Sequence, residues 1–380
     1  MWIYILTFFL GVYVDLYCKK GSKSNKRMRA VFITWLFIFL CFSYTNGSDW
    51  RQYELEYDEG FLTYILQGRD LGFVALMNGF RYYISDFWIV VGLLKCIYLL
   101  SCIKVLKRYI AHWITALSIM MPLSLLYMLI DNPLRFMVAM IFVNFAIIKM
   151  MDSKYIYAVV LSIVALFCHS ASLFCIALLP ALRFDLFSKF KTQTLIAVYI
   201  ALLVVSSSLD NILQLQKVLS DIQENYFGRA GLAEYYEAED TDSIFTVGTL
   251  LNFVLFSVIL KYRHLLTEKN SKLFSASILY FYVFNIAHVM PGGHRIRMAF
   301  TLFCGISYVI IMLHNQKIRY ALCILFCIML MKNIWGTYSY LPYTNSIPYI
   351  FTKHLPYSER SNYNPSNYKE RTGRDLPSEE

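Results

Sequence analysis

Residues 113–150 read WITALSIMMPLSLLYMLI-DNP-LRFMVAMIFVNFAIIKM, which is two apolar runs separated by three residues. Each run has the character of a helix that crosses a membrane, since such a helix needs about 17–25 mostly apolar residues. Pro133 suits the first turn of a helix, where its missing amide hydrogen costs nothing. The stretch therefore predicts a pair of membrane helices joined by a short turn.

Similar runs recur along the whole chain, whose 380 residues are 58% apolar and 16% charged with a mean hydropathy of +0.50. This composition excludes a soluble enzyme, a nucleic-acid-binding module and a disordered chain. The run at 155–182 is either one tilted helix or a re-entrant pair turning near His169. The sequence thus predicts an all-α, polytopic integral membrane protein with 11 or 12 membrane helices. The runs lie at 1–17, 30–45, 83–103, 113–130, 134–150, 155–182, 192–209, 244–261, 273–290, 296–313 and 318–335.

The basic residues between the runs predict the orientation of the chain. A basic cluster at 19–29 follows the first run, which favours an uncleaved first helix with its N-terminus outside. With 155–182 counted as two passes, the inside loops hold 20 Lys and Arg, and the outside loops before residue 332 hold eight, of which seven are Arg. Guanidinium groups match phosphate and carboxylate in bidentate fashion. The outer face is therefore predicted to bind anions, with chance and structural ion pairs as the alternative.

Polarity divides the chain into two parts. Residues 1–335 form a membrane-embedded domain with polar outer loops at about 46–82 and 210–243, and residues 336–380 form a polar tail that is expected to be disordered. The sequence has no nucleotide-binding fingerprint, no HExxH and no Cys/His set with zinc spacing. No cofactor is therefore predicted, and a reaction at the outer face must use a pre-activated donor.

The two outer loops contain residue types that bind sugars. A carboxylate beside an aromatic ring, as at Asp49 and Trp50, offers hydroxyl hydrogen bonds and ring stacking. Alternatively, Asp49 closes a local turn and Trp50 anchors the chain at the membrane interface. The second loop is a candidate lid over substrate. The substrate-binding candidates in these loops are Trp50, Arg51, Tyr53, Tyr226 and Arg229.

Other candidates are polar residues inside or at the ends of apolar runs. Arg135 opens a membrane helix, where it either binds phosphate or pairs with Asp131, itself a substrate-binding candidate. His169 is either a general base or a core histidine satisfied by its neighbouring serines. Arg295 and Arg297 follow two glycines at the outer face and are predicted to clamp an anion.

These residues carry a resemblance to a known family. In order and spacing over about residues 1–335, the chain resembles the EpsG-like branch of bacterial polysaccharide polymerases, related to Wzy-type O-antigen polymerases. An acidic-Pro-Gly-Phe element of that family reads Gly68-Arg69-Asp70-Leu71-Gly72-Phe73 here. The matching elements are Gly47-Ser48-Asp49-Trp50-Arg51-Gln52-Tyr53, Arg135 with Asp131, His169-Ser170-Ala171-Ser172, and Arg295 with Arg297.

The resemblance implies a GT-C-like membrane glycosyltransferase that polymerises oligosaccharide repeat units carried on undecaprenyl diphosphate. The site would face outside, or the periplasm, in a bacterial cytoplasmic membrane. Arg135, Arg295 and Arg297 would bind the diphosphate, and His169 or Asp49 would act on the acceptor hydroxyl. A chain-length regulator and a flippase are the implied partners, and the product is O-antigen, capsule or exopolysaccharide. The alternatives are a ligase-like transferase, a glycolipid transporter or flippase, and a structural partner in a glycan assembly complex.

Overall fold

A computed structural model describes residues 1–18, 23–47, 49–66, 68, 70–131, 133–207, 247–287, 293–336 and 340–361. Over these residues the chain is mainly helical, and its only β pairing is an isolated antiparallel bridge between Ser43 and Asn345. The helices follow the apolar runs because, in hydrocarbon, a single segment satisfies its backbone groups only by forming a helix. The predicted all-α class is confirmed.

The helices of the first part of the chain are α1 (Trp2–Leu16), α2 (Lys23–Cys41), α3 (Trp50–Glu59), α4 (Leu62–Leu66), α5 (Leu71–Tyr83), α6 (Phe87–Tyr109), α7 (Trp113–Met120) and α8 (Leu134–Met151). Two π-helical segments come after α7, at Met121–Leu125 and Tyr127–Asp131. The later helices are α9 (Tyr155–Cys168), α10 (Ser172–Ala177), α11 (Leu179–Arg183), α12 (Leu186–Lys189), α13 (Thr192–Ser207), α14 (Val247–Lys261), α15 (Arg263–Ala287), α16 (Gly293–His314), α17 (Gln316–Gly336) and α18 (Ile347–Ile350).

Several of these helices are long and apolar enough to cross a membrane. Among the described residues they are four, namely α6, α8, and most of α16 and α17. Helices α14 and α15 also qualify together, as a pair bent by 95°, which makes five spans if the pair is one. Further apolar helices are shorter, including α1, α9 and α13. The chain is a polytopic membrane protein, and the count of 11 or 12 stays a prediction.

The long apolar run at 155–182 is broken rather than continuous. Helix α9 ends at Cys168, His169 is extended with φ −164° and ψ 124°, and α10 begins at Ser172. The Ser172 hydroxyl donates to the His169 carbonyl over 2.7 Å, which satisfies one backbone acceptor at the break. Of the two sequence-based alternatives, the structure therefore selects the chain that turns near His169.

Helix α16 lies at the centre of the bundle. It packs along α15 and against α7, while α8 packs along α9 and against α6. The outer helices α3 and α5 cover one end of this bundle, with α5 against α9 and Trp50 of α3 against Trp88 of α6. Helix ends and outer helices therefore meet at a single edge, where the polar candidates of the sequence also lie.

Residues 340–361 correct the expectation for the tail, and we call them the C-terminal strap. The polarity of 336–380 predicts disorder, but the strap packs on the outer helices. Arg360 donates to both carboxylate oxygens of Glu54, over 2.8 and 2.7 Å, and His354 Nε2 lies 2.9 Å from Asp86 Oδ2. Composition misleads here because these polar side chains have specific partners on the outer helices, which offset the cost of ordering them.

Candidate active site

Arg135 places a positive charge in the first turn of the membrane helix α8. Its Nη1 donates to Asp70 Oδ2 over 2.7 Å, and its Nε donates to the Tyr53 hydroxyl over 2.8 Å. Its guanidinium also lies 4.9 Å from the centre of the Tyr64 ring. An arginine inside a membrane is costly unless it is paired, and these contacts supply the pairing. The carboxylate that it binds is thus Asp70, 65 positions away in the chain, and not the nearby Asp131.

Asp70 connects the arginine to the histidine. It precedes α5 in the left-handed region, with φ 45° and ψ 41°, a conformation that costs energy even for aspartate. Its side chain makes no capping bond to α5; it accepts from the Ser170 amide over 3.3 Å, and its Oδ2 lies 3.4 Å from His169 Nδ1. Burial raises the pKa of the Asp70 carboxyl, but His169 and Arg135 outweigh it, so the pKa is lowered and the group is a carboxylate.

His169 lies at the break between α9 and α10 with its side chain only 2% exposed. If Nδ1 carries the proton and donates to Asp70, Nε2 is a hydrogen-bond acceptor. That Nε2 is buried, and no described residue bonds to it. Buried polar atoms nearly always have a partner. Other buried atoms of the described chain, such as Trp50 Nε1 and the Tyr308 hydroxyl, also lack a partner, so it is the position of Nε2 beside Asp70 and Arg135 that makes it a candidate acceptor for a ligand's hydrogen-bond donor.

Arg295, in the first turn of α16, completes the cluster. Its Nε donates to the Tyr127 hydroxyl over 3.2 Å. It is close enough to Asp49 and His169 for its charge to act on both. The structure thus brings five sequence-predicted residues together at one edge of the bundle, and these are Asp49, Tyr53, Arg135, His169 and Arg295.

Gly47 allows the loop before α3 to approach the second π segment. Its φ is 83°, and a Cβ at this position would collide with the backbone carbonyl of Asp131. This close approach brings Asp49 towards Tyr127 and Arg295. Only glycine combines that backbone conformation with the absence of a side chain. A substrate-binding role for the Asp131 side chain stays a prediction.

Trp50 and Arg51 lie against the C-terminal strap and Tyr53 lies in the cluster. Trp50 is fully buried with its ring 5.3 Å from that of Trp88, so this structure leaves no face of it for a sugar. Arg51 donates to the carbonyl of Ser361 over 2.7 Å. Tyr53, one helical turn along α3, points to Arg135 instead. Helix α3 therefore has two faces, one that packs against the strap and one that contributes to the cluster.

Arg297 does not share the position of Arg295. Two residues along a helix correspond to a rotation of about 200°, and the Arg297 guanidinium lies 5.0 Å from the centre of the Phe284 ring. Its Nε is buried with no hydrogen-bond partner among the described residues. The two arginines thus do not form one clamp in this structure. Tyr226 and Arg229 lie outside the described residues.

The arrangement combines two anion-binding groups with a proton acceptor. Guanidiniums bind phosphate oxygens strongly, and a buried imidazole held by a carboxylate can accept a proton. No group of three or more His, Cys, Asp or Glu suited to a metal ion occurs in the described part of the chain. The geometry therefore suits the binding of a phosphate ester and a proton transfer close to it.

Three residues of this cluster are not singled out by sequence reasoning, namely Asp70, Tyr64 and Tyr127. Asp70 alone carries a signal, because it provides the acidic residue in the variant of the acidic-Pro-Gly-Phe element. The two tyrosines are ordinary members of a chain with 30 tyrosines, and only the fold distinguishes them.

The fold and the site define a polytopic membrane protein with a buried, arginine-rich site at the edge of its helices. A family model described as the EpsG family matches residues 26–351, and the chain belongs to that family. The match spans the whole cluster and part of the strap. Membership indicates a function of the polysaccharide-polymerase type. The comparison with curated proteins gives no match, and neither does the comparison with solved structures.

Proposed function

We propose that the protein is a glycosyltransferase that polymerises oligosaccharide repeat units carried on undecaprenyl diphosphate, at the outer face of a bacterial cytoplasmic membrane. Family membership supports polymerisation. The single observation that carries the proposed mechanism is the unpaired Nε2 of His169, which lies beside the charges of Arg135 and Arg295. A lipid diphosphate is a donor that needs no nucleotide, and its leaving group is the anion that arginines bind best.

In the proposed reaction, a hydroxyl oxygen of the acceptor sugar attacks the anomeric carbon of the donor glycan. The bond from that carbon to the diphosphate oxygen breaks, and undecaprenyl diphosphate leaves. His169 Nε2 takes the hydroxyl proton, and Asp70 stabilises the imidazolium through Nδ1. Arg135 and Arg295 stabilise the charge that grows on the diphosphate. Asp49 orients the acceptor.

Arg135 retains binding capacity for this role. Its Nε and Nη1 bind Tyr53 and Asp70, its side chain is 15% exposed, and none of its hydrogen bonds to described residues involves Nη2. Nη2 is thus the group proposed to bind a diphosphate oxygen. Arg297 is proposed to bind the lipid diphosphate further from the reacting bond, and the loop with Tyr226 and Arg229 to close over the glycan.

Reconstitution tests the proposal. The full-length protein in nanodiscs is mixed with the lipid-diphosphate-linked repeat unit of its host, without nucleotide, and the products are separated on a gel. We expect a ladder of increasing length and release of undecaprenyl diphosphate. The Arg135→Ala variant should give no ladder. Arg108→Ala is the control for the loss of an arginine from an ion pair outside the cluster, because Arg108 pairs with Asp152 over 2.6 Å at the end of α6; its side chain is more exposed than that of Arg135, 47% against 15%.

Other results would support the rival functions. Transfer of single units without a ladder would favour a ligase-like transferase. Movement of the lipid-linked unit across the bilayer without any new glycosidic bond would favour a flippase. If the wild-type protein inserts and binds the lipid-linked unit but gives neither result, a structural role in a glycan assembly complex is the function that remains.

A further inference from the structure

A polar cleft of about 630 Å³ opens where α3 and α5 end, apart from the cluster around Arg135. Its walls come from the last turn of each helix and the residues just after them. The lining side chains that matter for the argument are Asp58, Glu59, Asn78, Arg81 and Tyr82.

The cleft and the candidate active site lie at opposite ends of the same two helices. Tyr53 near the start of α3 and Asp70 at the start of α5 both bind Arg135. Six residues separate Tyr53 from Glu59, which corresponds to about 9 Å along a helix. A ligand extending from the cluster along these helices therefore reaches the cleft within the length of a short oligosaccharide.

The electrostatics of the cleft disfavour an anion. Both helices point their C-terminal ends, which carry partial negative charge, towards it, and Asp58 and Glu59 add two carboxylates. Arg81 is occupied in part, because it donates to the backbone carbonyl of Asp58. The guanidinium of Arg81 in turn disfavours a metal cation. A phosphate and a metal ion are thus both poor occupants.

The same side chains suit a hydroxyl-rich, uncharged ligand. Carboxylates accept hydrogen bonds from hydroxyls, and the Asn78 amide, which holds the Gly60 carbonyl over 3.0 Å, still has an acceptor oxygen. Tyr82 is 83% exposed and offers a ring on which a sugar can stack. Gly60 keeps the space open, because a Cβ there would lie 2.9 Å from Nη1 of Arg81.

We propose that this cleft binds an uncharged segment of the glycan substrate and holds the chain while one repeat unit after another is added at the cluster. This inference rests on the proposed polymerase function. It predicts that the cleft affects product length and glycan affinity and that the chemical step is unaffected, because no cleft residue touches the reacting groups.

The test compares two exposed aromatic residues in the full-length protein in nanodiscs. Tyr82→Ala removes the stacking ring and Tyr82→Phe keeps it. Phe351→Ala is the control, since Phe351 is 84% exposed but does not line the cleft, whereas Tyr83 is unsuitable because its ring lies 4.9 Å from that of Tyr82. The probe is the repeat-unit oligosaccharide released from its lipid by mild acid, with binding read by saturation-transfer NMR. Product length is read on a gel, and the rate of the first transfer is measured separately.

We expect Tyr82→Ala to bind the oligosaccharide roughly threefold to tenfold more weakly, the loss of one aromatic contact, and to give shorter products at an unchanged first-transfer rate. Tyr82→Phe and Phe351→Ala should match the wild type. Equal effects of Tyr82→Ala and Phe351→Ala would show that the loss of any exposed aromatic ring has this effect and would overturn the inference, as would wild-type binding by Tyr82→Ala. Failure of the wild type to polymerise would count against the proposed function, and the NMR result would still decide whether the cleft binds glycan.

Discussion

Two buried arginine–carboxylate pairs of this protein have similar geometry and different surroundings. Arg135 and Asp70 in the cluster lie 2.7 Å apart with side chains 15% and 6% exposed, and Arg360 and Glu54 under the strap lie 2.7 Å apart with 7% and 13%. Glu54 also accepts from the Trp88 indole over 3.0 Å. Under the strap both charges are thus paired, although the buried indole nitrogen of Trp50, whose ring lies 5.6 Å from the Arg360 guanidinium, has no partner among the described residues.

The cluster also has an unpaired atom beside its ion pair, but that atom is of a different chemical kind. Asp70 is shared among three donors, and the far nitrogen of His169 has no partner among the described residues. The comparison teaches that burial of an ion pair does not by itself mark a functional site. The kind of unsatisfied atom beside the pair is the more informative sign, because the Trp50 nitrogen can only donate a hydrogen bond, whereas the His169 nitrogen can accept a proton.

The largest expected effect on activity is that of Arg135→Ala. Removing a donor to the leaving group costs about a hundredfold to a thousandfold, and here Asp70 also loses its charged partner. We expect no detectable ladder in the reconstituted assay. Arg135→Lys should remain below about 10% of wild-type activity, because a compact ammonium cannot reproduce the planar fork whose separate nitrogens bind Tyr53, Asp70 and a phosphate. Full activity of Arg135→Lys would show that only the charge matters.

His169→Gln should have the next largest effect. Glutamine keeps a polar group at the break but cannot take up a proton, so we expect the rate of single-turnover transfer to fall about a hundredfold. Binding of the lipid-linked donor, measured by fluorescence, should be retained. A variant that loses donor binding to the same extent as turnover would place His169 in substrate binding and not in proton transfer.

Tyr53→Phe should have a smaller effect. The substitution removes one hydrogen bond to the Arg135 guanidinium and keeps the ring, so we expect activity to fall roughly tenfold, the value of a hydrogen bond to a charged group. The first-transfer rate measures this effect. Tyr64→Phe is the control, because Tyr64 contacts Arg135 through its ring face, which phenylalanine retains. Equal losses in the two variants would contradict the assigned hydrogen bond.

Arg360→Ala should have the smallest effect on activity and the largest on stability. Breaking a buried pair costs about 3–5 kcal/mol, because Glu54 remains buried without its partner. We expect thermal unfolding in nanodiscs at a lower temperature, while activity per folded molecule below that temperature stays within about threefold of wild type. Loss of activity in fully folded Arg360→Ala would show that the Arg360–Glu54 pair also contributes to activity, and would contradict its assignment as a purely structural pair.

Sequence reasoning finds the helices and five of the eight cluster residues, and the helices and the buried polar residues are found for the same reason. Apolar runs identify the helices, and a polar residue inside such a run, as with Arg135 and His169, needs an explanation. Sequence reasoning does not find the Arg135–Asp70 pair, because the two residues are 65 positions apart and Asp131 is much nearer to Arg135 in the chain. Sequence reasoning does not predict the ordered strap, because its order depends on pairs such as Arg360 with Glu54, which composition cannot reveal.

The π-helical segments after α7 limit which changes of length the gene can tolerate. A π turn contains about one residue more than an α turn, and each inserted or deleted residue rotates the downstream part of the helix by about 100°. Deleting one codon within 121–125 would restore an α turn and move the Tyr127 hydroxyl away from Arg295, to which it is bonded. Homologous genes should therefore tolerate substitutions here far better than changes of length.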